Sequence, residues 1–234
     1  MNKFIFDVDG TLTPSRQEID RDFAVFFSNF CAENDVYLVT GSDKEKTVEQ
    51  IGEEIYSLAK RVYNCSGSDV WQGETHIRSD NWRPNLLVKS WLEDTLKQSK
   101  FVLRTGNHIE QRPGMINFSI VGRGATMGER KLYVKYDTEN GERNTIAALF
   151  NKEFPELIAR PGGETGIDIS PAGADKSQIV SDFDPSDKLI FFGDRMDPAG
   201  NDYPLAKVIL DNDLGTCYTV NSWKDTWKQL KDYD

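Results

Sequence analysis

The chain has 234 residues, 38% hydrophobic and 28% charged, enough material for one large α/β domain or two modest ones. Its formal net charge of −10 argues against nucleic acid as a partner, because binding there begins with a basic surface. No apolar run approaches a membrane span and no signal-peptide pattern is present. The three cysteines (Cys31, Cys65, Cys217) are scattered without a CxxC pair. A cytoplasmic protein without membrane contact, disulfides or structural zinc is expected.

KFIFD predicts a buried strand over Lys3–Asp7, followed by a helix from about Gln17 to Asn34 with Ile19, Phe23, Phe26, Phe27 and Phe30 at helical spacing. VYLVT (Val36–Thr40) predicts a second strand, Ser42 or Asp43 caps a helix carrying Val48, Ile51 and Ile55, and RVYNC predicts a third strand. That alternation is the signature of a parallel sheet covered on both faces. After about Ser79 the rhythm changes. Leu86–Gln98 reads as a helix, and HIEQRPGMINFSIVGR as a half-exposed antiparallel strand with Ile116, Phe118 and Ile120 on one face and Asn117, Ser119 and Arg123 on the other. KLYVKYD predicts another strand, Glu142–Phe154 a helix and GIDISP a strand. From Lys188 the buried style returns in KLIFFGD, and the last helix carries Trp223, Trp227 and Leu230. The economical architecture is an α/β parallel-sheet core over residues 1–81 and 175–234, interrupted by an inserted α+β domain over 82–174.

Between Lys100 and Lys135 seven Lys and Arg residues face two acids, Glu110 and Glu129, so this stretch is basic inside an acidic chain. Arginine forks match phosphate oxygens, which points to a small anionic ligand.

Three predicted strands end in polar signatures: FDVDGT, VTGSD and FFGD. Ligands of open parallel sheets collect at such carboxyl ends. Asp7, Asp9 and Asp194 crowded there are costly without a cation, and hard oxygen donors suit Mg²⁺. A carboxylate at Asp7 can then attack phosphorus, and Asp9 can move protons as general acid/base, its carbonyl turned to the metal. A hydroxyl at Thr40 or Ser42 can accept the phosphoryl group, and Lys176 in AGADKSQ can neutralise it. His76 and His108 read as surface or loop histidines, Asp211 and Asp213 as a solvated turn, and GGETG lacks the strand–helix context of a nucleotide loop.

DVDGTLTPSRQ, RPGMINFSIVGR, the GER at Gly128–Arg130, GGETGIDISPAGADK and FFGDRMDPAGND stand in the order of the corresponding segments of the eukaryotic-type phosphomannomutase family, a branch of the haloacid dehalogenase superfamily that the chain resembles over nearly its whole length. The resemblance implies a Rossmannoid core with a cap that closes over a hexose phosphate. It implies Asp7 as nucleophile, Asp9 as general acid/base, and Asp7, the Asp9 carbonyl and Asp194 as magnesium ligands, with Asp202 behind them. It also implies Arg16 reaching the substrate from the core, Arg112, Arg123 and Arg130 gripping the distal phosphate, and Asp168 on a sugar hydroxyl. The implied reaction interconverts mannose 6-phosphate and mannose 1-phosphate through a hexose 1,6-bisphosphate and feeds GDP-mannose synthesis. The family is often dimeric through its caps. Gly166 stands where it usually has serine, Thr40-Gly41-Ser42 where Gly-Gly-Ser is common, Ser66-Gly67 in place of part of a Glu-Asn-Gly turn, and Pro113 in place of asparagine. A sugar-phosphate phosphatase is the alternative that shares the first half-reaction.

Overall fold

In the computed structural model, which describes residues 1–233, KFIF lies at the centre of a sheet, with every residue after Asn2 buried. The elements in chain order are β1 (Asn2–Phe6), α1 (Arg21–Glu33), β2 (Val36–Val39), α2 (Lys44–Leu58), β3 (Arg61–Asn64), β4 (Asp69–Gln72), β5 (Thr75–Ser79), α3 (Leu86–Gln98) and β6 (Ile109–Arg112). They continue with β7 (Met115–Ser119), α4 (Met127–Asn140), α5 (Glu142–Glu153), β8 (Leu157–Gly162), β9 (Gly166–Pro171), β10 (Lys188–Gly193), α6 (Tyr203–Asp211), β11 (Gly215–Thr219) and α7 (Trp223–Lys231). Short 3-10 helices occupy Cys65–Gly67 and Lys176–Asp182. The chain divides into two units, one of Met1–Ser79 and the segment beginning at Gly173, the other of Asp80–Ala172.

The first unit holds a seven-stranded sheet in the order β11-β10-β1-β2-β3-β4-β5. The pairs from β11 to β3 are parallel, and the hairpin of β4 and β5 is added antiparallel. From β1 the chain winds outward to β3 and later returns on the other side through β10, so the strand order switches between β1 and β10. Side chains alternate along β1. Phe4, Phe6 and Val8 pack with Phe23 and Phe27 of α1, Ile51 and Ile55 of α2 and Leu230 of α7. Ile5 faces the opposite layer, with Ile179, Leu205 and Ile209. Helix α1 starts at Arg21 rather than Gln17. The Asp20 carboxylate caps it by accepting from the Asp22 and Phe23 amides, while the Ile19 amide donates to the Gln50 carbonyl, which keeps the preceding residues out of the helix.

The second unit holds a four-stranded antiparallel sheet, β6-β7-β9-β8. One face, with Ile116, Phe118, Ile167 and Ile169, packs on Val88 and Leu92 of α3, Tyr133 of α4 and Phe150 of α5. The other is polar: Glu110, Asn117, Asp168 and Arg160 stand in register across the four strands. Two expectations are corrected. HIEQRPGMINFSIVGR is a hairpin rather than one half-exposed strand, since Gly114 takes φ 64° beside Pro113 and β7 is buried on both faces. KLYVKYD lies inside α4, because a capping box between Thr126 and Glu129 starts a helix just upstream.

Phe6 stacks on Phe192 with ring centroids 4.9 Å apart and meets Phe27 edge-on at 5.1 Å. Phe6→Ala is expected to destabilise the first unit by about 3–5 kcal/mol, read from urea unfolding followed by far-UV circular dichroism. A loss below about 1 kcal/mol would show that this aromatic cluster does not hold the sheet.

Candidate active site

Asp7 is the residue after β1 and shares the face of Ile5, towards the layer formed by the 3-10 helix at Lys176 and by α6. Its amide continues the sheet by donating to the Phe192 carbonyl (3.0 Å), and the residue is 2% exposed. The chain then turns sharply, with the amides of Thr11, Leu12 and Thr13 all donating to the Val8 carbonyl. Gly10, at φ +85°, is required twice over, because a Cβ there would lie 2.3 Å from Asp194 Oδ2. Lys176 Nζ donates to Asp7 Oδ1 at 2.5 Å and to Asp202 Oδ1 at 2.6 Å. Asp202 Oδ2 in turn accepts from the Arg195 amide at 3.0 Å.

The oxygens of Asp7, Asp194 and Asp202 lie within 4.8 Å of one another. One ammonium thus faces three carboxylates. Burial raises the Asp7 pKa well above the usual carboxylate range despite Lys176, and Asp202 and Asp194 add to the rise. Burial, then the Asp202 charge, pushes Asp194 up to about 6. Burial would lower Lys176, but Asp202 and Asp7 outweigh it and hold the ammonium above its ordinary pKa. The residues fit a hard divalent cation. The set is all oxygen and short of positive charge, with both oxygens of Asp202 engaged by Lys176 and the Arg195 amide and those of Asp7 by Lys176 and the Thr11 hydroxyl.

Asp9 is half-buried and differently held. Its Oδ1 accepts from the Arg16 amide (2.7 Å) and from Gln50 Nε2 (3.0 Å), which leaves Oδ2 for other partners. Arg16 takes a left-handed φ of 58°, which aims its amide back at this carboxylate. Thr40 and Ser42 follow β2. The Cys65 amide donates to the Ser42 carbonyl and the Ser66 amide to the Thr40 carbonyl, while Thr40 Oγ1 accepts from the Ser42 amide at 3.1 Å. The neighbouring parallel strands β1 and β2 therefore carry Asp7 and this hydroxyl loop at the same sheet edge.

In the second unit Arg112, Arg123 and Asp168 are linked through the polar face of the sheet, and Arg130, from the first turn of α4, is near enough to act on the charge of Arg123. Glu110 Oε2 accepts from Arg112 Nη2 at 2.7 Å and pairs with Arg123 Nε at 3.0 Å. Arg123 Nη1 donates to Asn117 Oδ1 (3.3 Å), and Asn117 Nδ2 to Asp168 Oδ1 (2.6 Å). Arg130 pairs with Glu164 at 3.1 Å. Burial pulls the Arg123 pKa down most, Glu110 pushes back, and Arg112 and Arg130 add to the lowering. Sequence reasoning missed Gln50, Glu110, Glu164 and the linking role of Asn117. Only Gln50 left a trace, as a polar residue on the buried face of α2 beside Thr47 and Ile51.

The fold is shared with a haloacid dehalogenase-like hydrolase from Bacteroides thetaiotaomicron (TM-score 0.62, 14% identity, all of both chains). It is also shared with an IMP-bound, N-terminally truncated IMP-nucleotidase from Plasmodium falciparum (TM-score 0.65, 16% identity, 99% of this chain and 67% of that one). Among curated proteins the chain is 30% identical to a phosphomannomutase of Spinacia oleracea over 96% of this chain and 92% of the relative, and 31% identical to one of Saccharomyces cerevisiae over 97% and 91%. The eukaryotic phosphomannomutase family model matches residues 23–233. An α/β core with strand-tip acids, a separate antiparallel sheet and full-length similarity agree: the chain belongs to the eukaryotic phosphomannomutase family.

Proposed function

We propose that this protein is a Mg²⁺-dependent phosphomannomutase that interconverts mannose 6-phosphate and mannose 1-phosphate through a phosphorylated Asp7 and a hexose 1,6-bisphosphate. The observation that carries the reading is the buried Asp7 carboxylate, fixed by Lys176 at the switch in strand order with Asp194 and Asp202 against it. Mg²⁺, held by Asp7, Asp194 and the Asp9 carbonyl, would supply charge neutralisation at the transferring phosphoryl group. Lys176 on Oδ1 and the Thr11 hydroxyl on Oδ2 (3.3 Å) orient the Asp7 carboxylate.

Asp7 attacks the phosphorus of the bisphosphate as the bond to the sugar oxygen breaks. Asp9 protonates that departing oxygen through Oδ2, since its other oxygen is engaged by Arg16 and Gln50. The sugar monophosphate turns around, Asp9 takes the proton from its other hydroxyl, and that oxygen receives the phosphoryl group from Asp7. Thr40 Oγ1 accepts from the Ser42 amide and keeps its own O–H proton, so the hydroxyl of Thr40 or Ser42 donates to the phosphoryl group. Arg16, Arg112, Arg123 and Arg130 bind substrate phosphates and Asp168 a sugar hydroxyl, and a phosphatase would not need this second anion site. The phosphatase alternative draws nothing from Gly166 either, because the space beside that residue is filled by the Asn117 amide. The reading places the enzyme ahead of nucleotide-sugar synthesis in the cytoplasm, with a homodimer through the cap; among the described residues no helix is long and apolar enough to cross a membrane.

Incubation with mannose 1-phosphate, Mg²⁺ and a trace of hexose 1,6-bisphosphate should yield mannose 6-phosphate without free phosphate; phosphate as the main product would favour hydrolysis. Asp7→Asn is expected to lower turnover by on the order of 10³-fold or more and to abolish acid-stable phosphoryl trapping on the protein. Arg123→Ala should weaken substrate binding roughly ten- to a hundredfold, the worth of a lost charge-assisted contact, and unchanged affinity would remove that residue from the site.

The raised Asp194 pKa gives a pH dependence for the metal-free protein. Between about 4 and 6 the folded state keeps a proton on Asp194 that the unfolded state has lost, so stability falls as pH rises through that window. A cation removes this penalty by binding the ionised form. The rise in Tm on adding Mg²⁺ to chelator-treated protein should therefore be larger at pH 7.5 than at pH 5. An equal rise at both pH values would contradict a cation bound among these acids.

A further inference from the structure

We propose that Glu164 is a displaceable internal counter-ion that sets how tightly the second unit holds a phosphate-bearing ligand, a role that rests on Arg130 being one of that ligand's partners. Arg112, Arg123 and Arg130 stand against Glu110, Asp168 and Glu164, with Arg160 exposed beside Asp168 on the polar face of the sheet. Four guanidiniums against three carboxylates leave one excess positive charge before any ligand arrives. A phosphate dianion brought among them leaves a half-buried region with excess negative charge unless a carboxylate withdraws.

The tethers decide which one withdraws. Glu110 is held by two guanidiniums at once. Asp168 is bonded to Asn117 and lies so close to β8 that a Cβ on Gly162 would fall 2.0 Å from its Oδ2. Glu164 meets only Arg130 among the described residues, and its side chain is 52% exposed. The turn that carries Glu164 is nevertheless fixed. Arg143 Nη1 donates to the carbonyls of Gly163 (2.9 Å) and Gly166 (3.3 Å), while its Nε is anchored on Asp137 at 2.7 Å. Ser119 Oγ donates to the Thr165 carbonyl at 3.2 Å. The carboxylate can therefore swing into water while the backbone stays in place. Arg130, with only 12% of its side chain exposed, stays where the phosphate can meet it. The exchange is selective by charge, because a phosphate can replace the carboxylate on Arg130 and a neutral sugar cannot.

The test is calorimetric titration of the Mg²⁺-loaded full chain with mannose 1-phosphate and, separately, with phosphate-free mannose, for the parent, Glu164→Gln and Arg130→Ala. Glu164→Gln, a change on an exposed side chain, should tighten mannose 1-phosphate about three- to tenfold and leave mannose unaffected. Arg130→Ala should weaken mannose 1-phosphate roughly tenfold or more. Unchanged or weaker mannose 1-phosphate binding by Glu164→Gln, with Arg130→Ala impaired, would overturn the counter-ion role and leave the phosphate site standing. Equal tightening of mannose would also overturn it, by showing a sugar contact instead. Unaltered binding by Arg130→Ala would remove the site itself, and the proposal with it.

Discussion

A single ammonium, that of Lys176, sits among carboxylates in the dry interior of the first unit, and the arrangement around it follows from that constraint. Burying a charge costs several kcal/mol unless it is paired and hydrogen-bonded. Lys176 is 1% exposed and meets both Asp7 and Asp202 within hydrogen-bond distance, so its own burial is compensated while the acids still outnumber it. The segment that carries it is held accordingly. Asp175 caps the 3-10 helix on the Ser177 amide, Gln178 Nε2 donates to the Ser66 carbonyl at 2.8 Å, and Ile179 is buried in the core beside Ile5. The glycines nearby follow from the same closeness: a Cβ at Gly193 would lie 2.7 Å from Asp202 Oδ2, as one at Gly10 would meet Asp194.

Sheet geometry explains why two aspartates separated by one residue come to differ. Alternation along β1 sends Asp7 to the face of Ile5, where Lys176 waits. Had the strand continued, Asp9 would have followed it onto that face. The turn at Val8 and Gly10 intervenes, and Asp9 is carried to the Arg16 amide and Gln50 instead, half-buried and free at one oxygen. One carboxylate is thus immobilised in a dry, charged setting and the other is half-buried with neutral hydrogen-bond partners, so identical side chains end in different environments.

Much of this was legible because polar residues at the tips of apolar runs have no packing explanation. Asp7, Asp9 and Asp194 stand out for that reason, and the parallel order of β1, β2 and β3 follows from the spacing of apolar residues. What escaped was either ambiguous in period or non-local. KLYVKYD alternates like a strand over its whole length, and α4 buries only Tyr133, so its apolar stripe is too thin to outvote the alternation; the Thr126–Glu129 capping box was the signal available. Strand β8 begins LIA and then runs into Arg160, Pro161 and Gly162, too short an apolar stretch to read. Residues 203–219 hold α6 and β11, neither of them anticipated, since YPLAKVILD is short and almost uniformly apolar. The burial of Lys176 depends on an acid 169 positions away, and the pairing of Arg130 on one 34 positions away, distances that local pattern does not encode.

Gly166 shows how such non-local contacts change the meaning of a residue. Taken alone, a glycine where the family resemblance leads one to expect a serine is a missing donor. In the fold, Gly166 opens β9 and pairs with Ser119, and a Cβ there would lie 2.4 Å from Asn117 Nδ2. The absent side chain is what lets the Asn117 amide lie between Asp168 and Arg123, donating to one and accepting from the other. Asn117 is 4% exposed, so each end of its amide needs a partner, and an amide pushed aside would leave buried polar groups unpaired at a cost of about 1–3 kcal/mol each. A larger residue at position 166 would therefore have to move that amide and with it both charged neighbours. The glycine is the spatial condition for a polar chain that runs from a carboxylate through an amide to a guanidinium, and the orientation of Arg123 is set as much by the side chain position 166 lacks as by any side chain present.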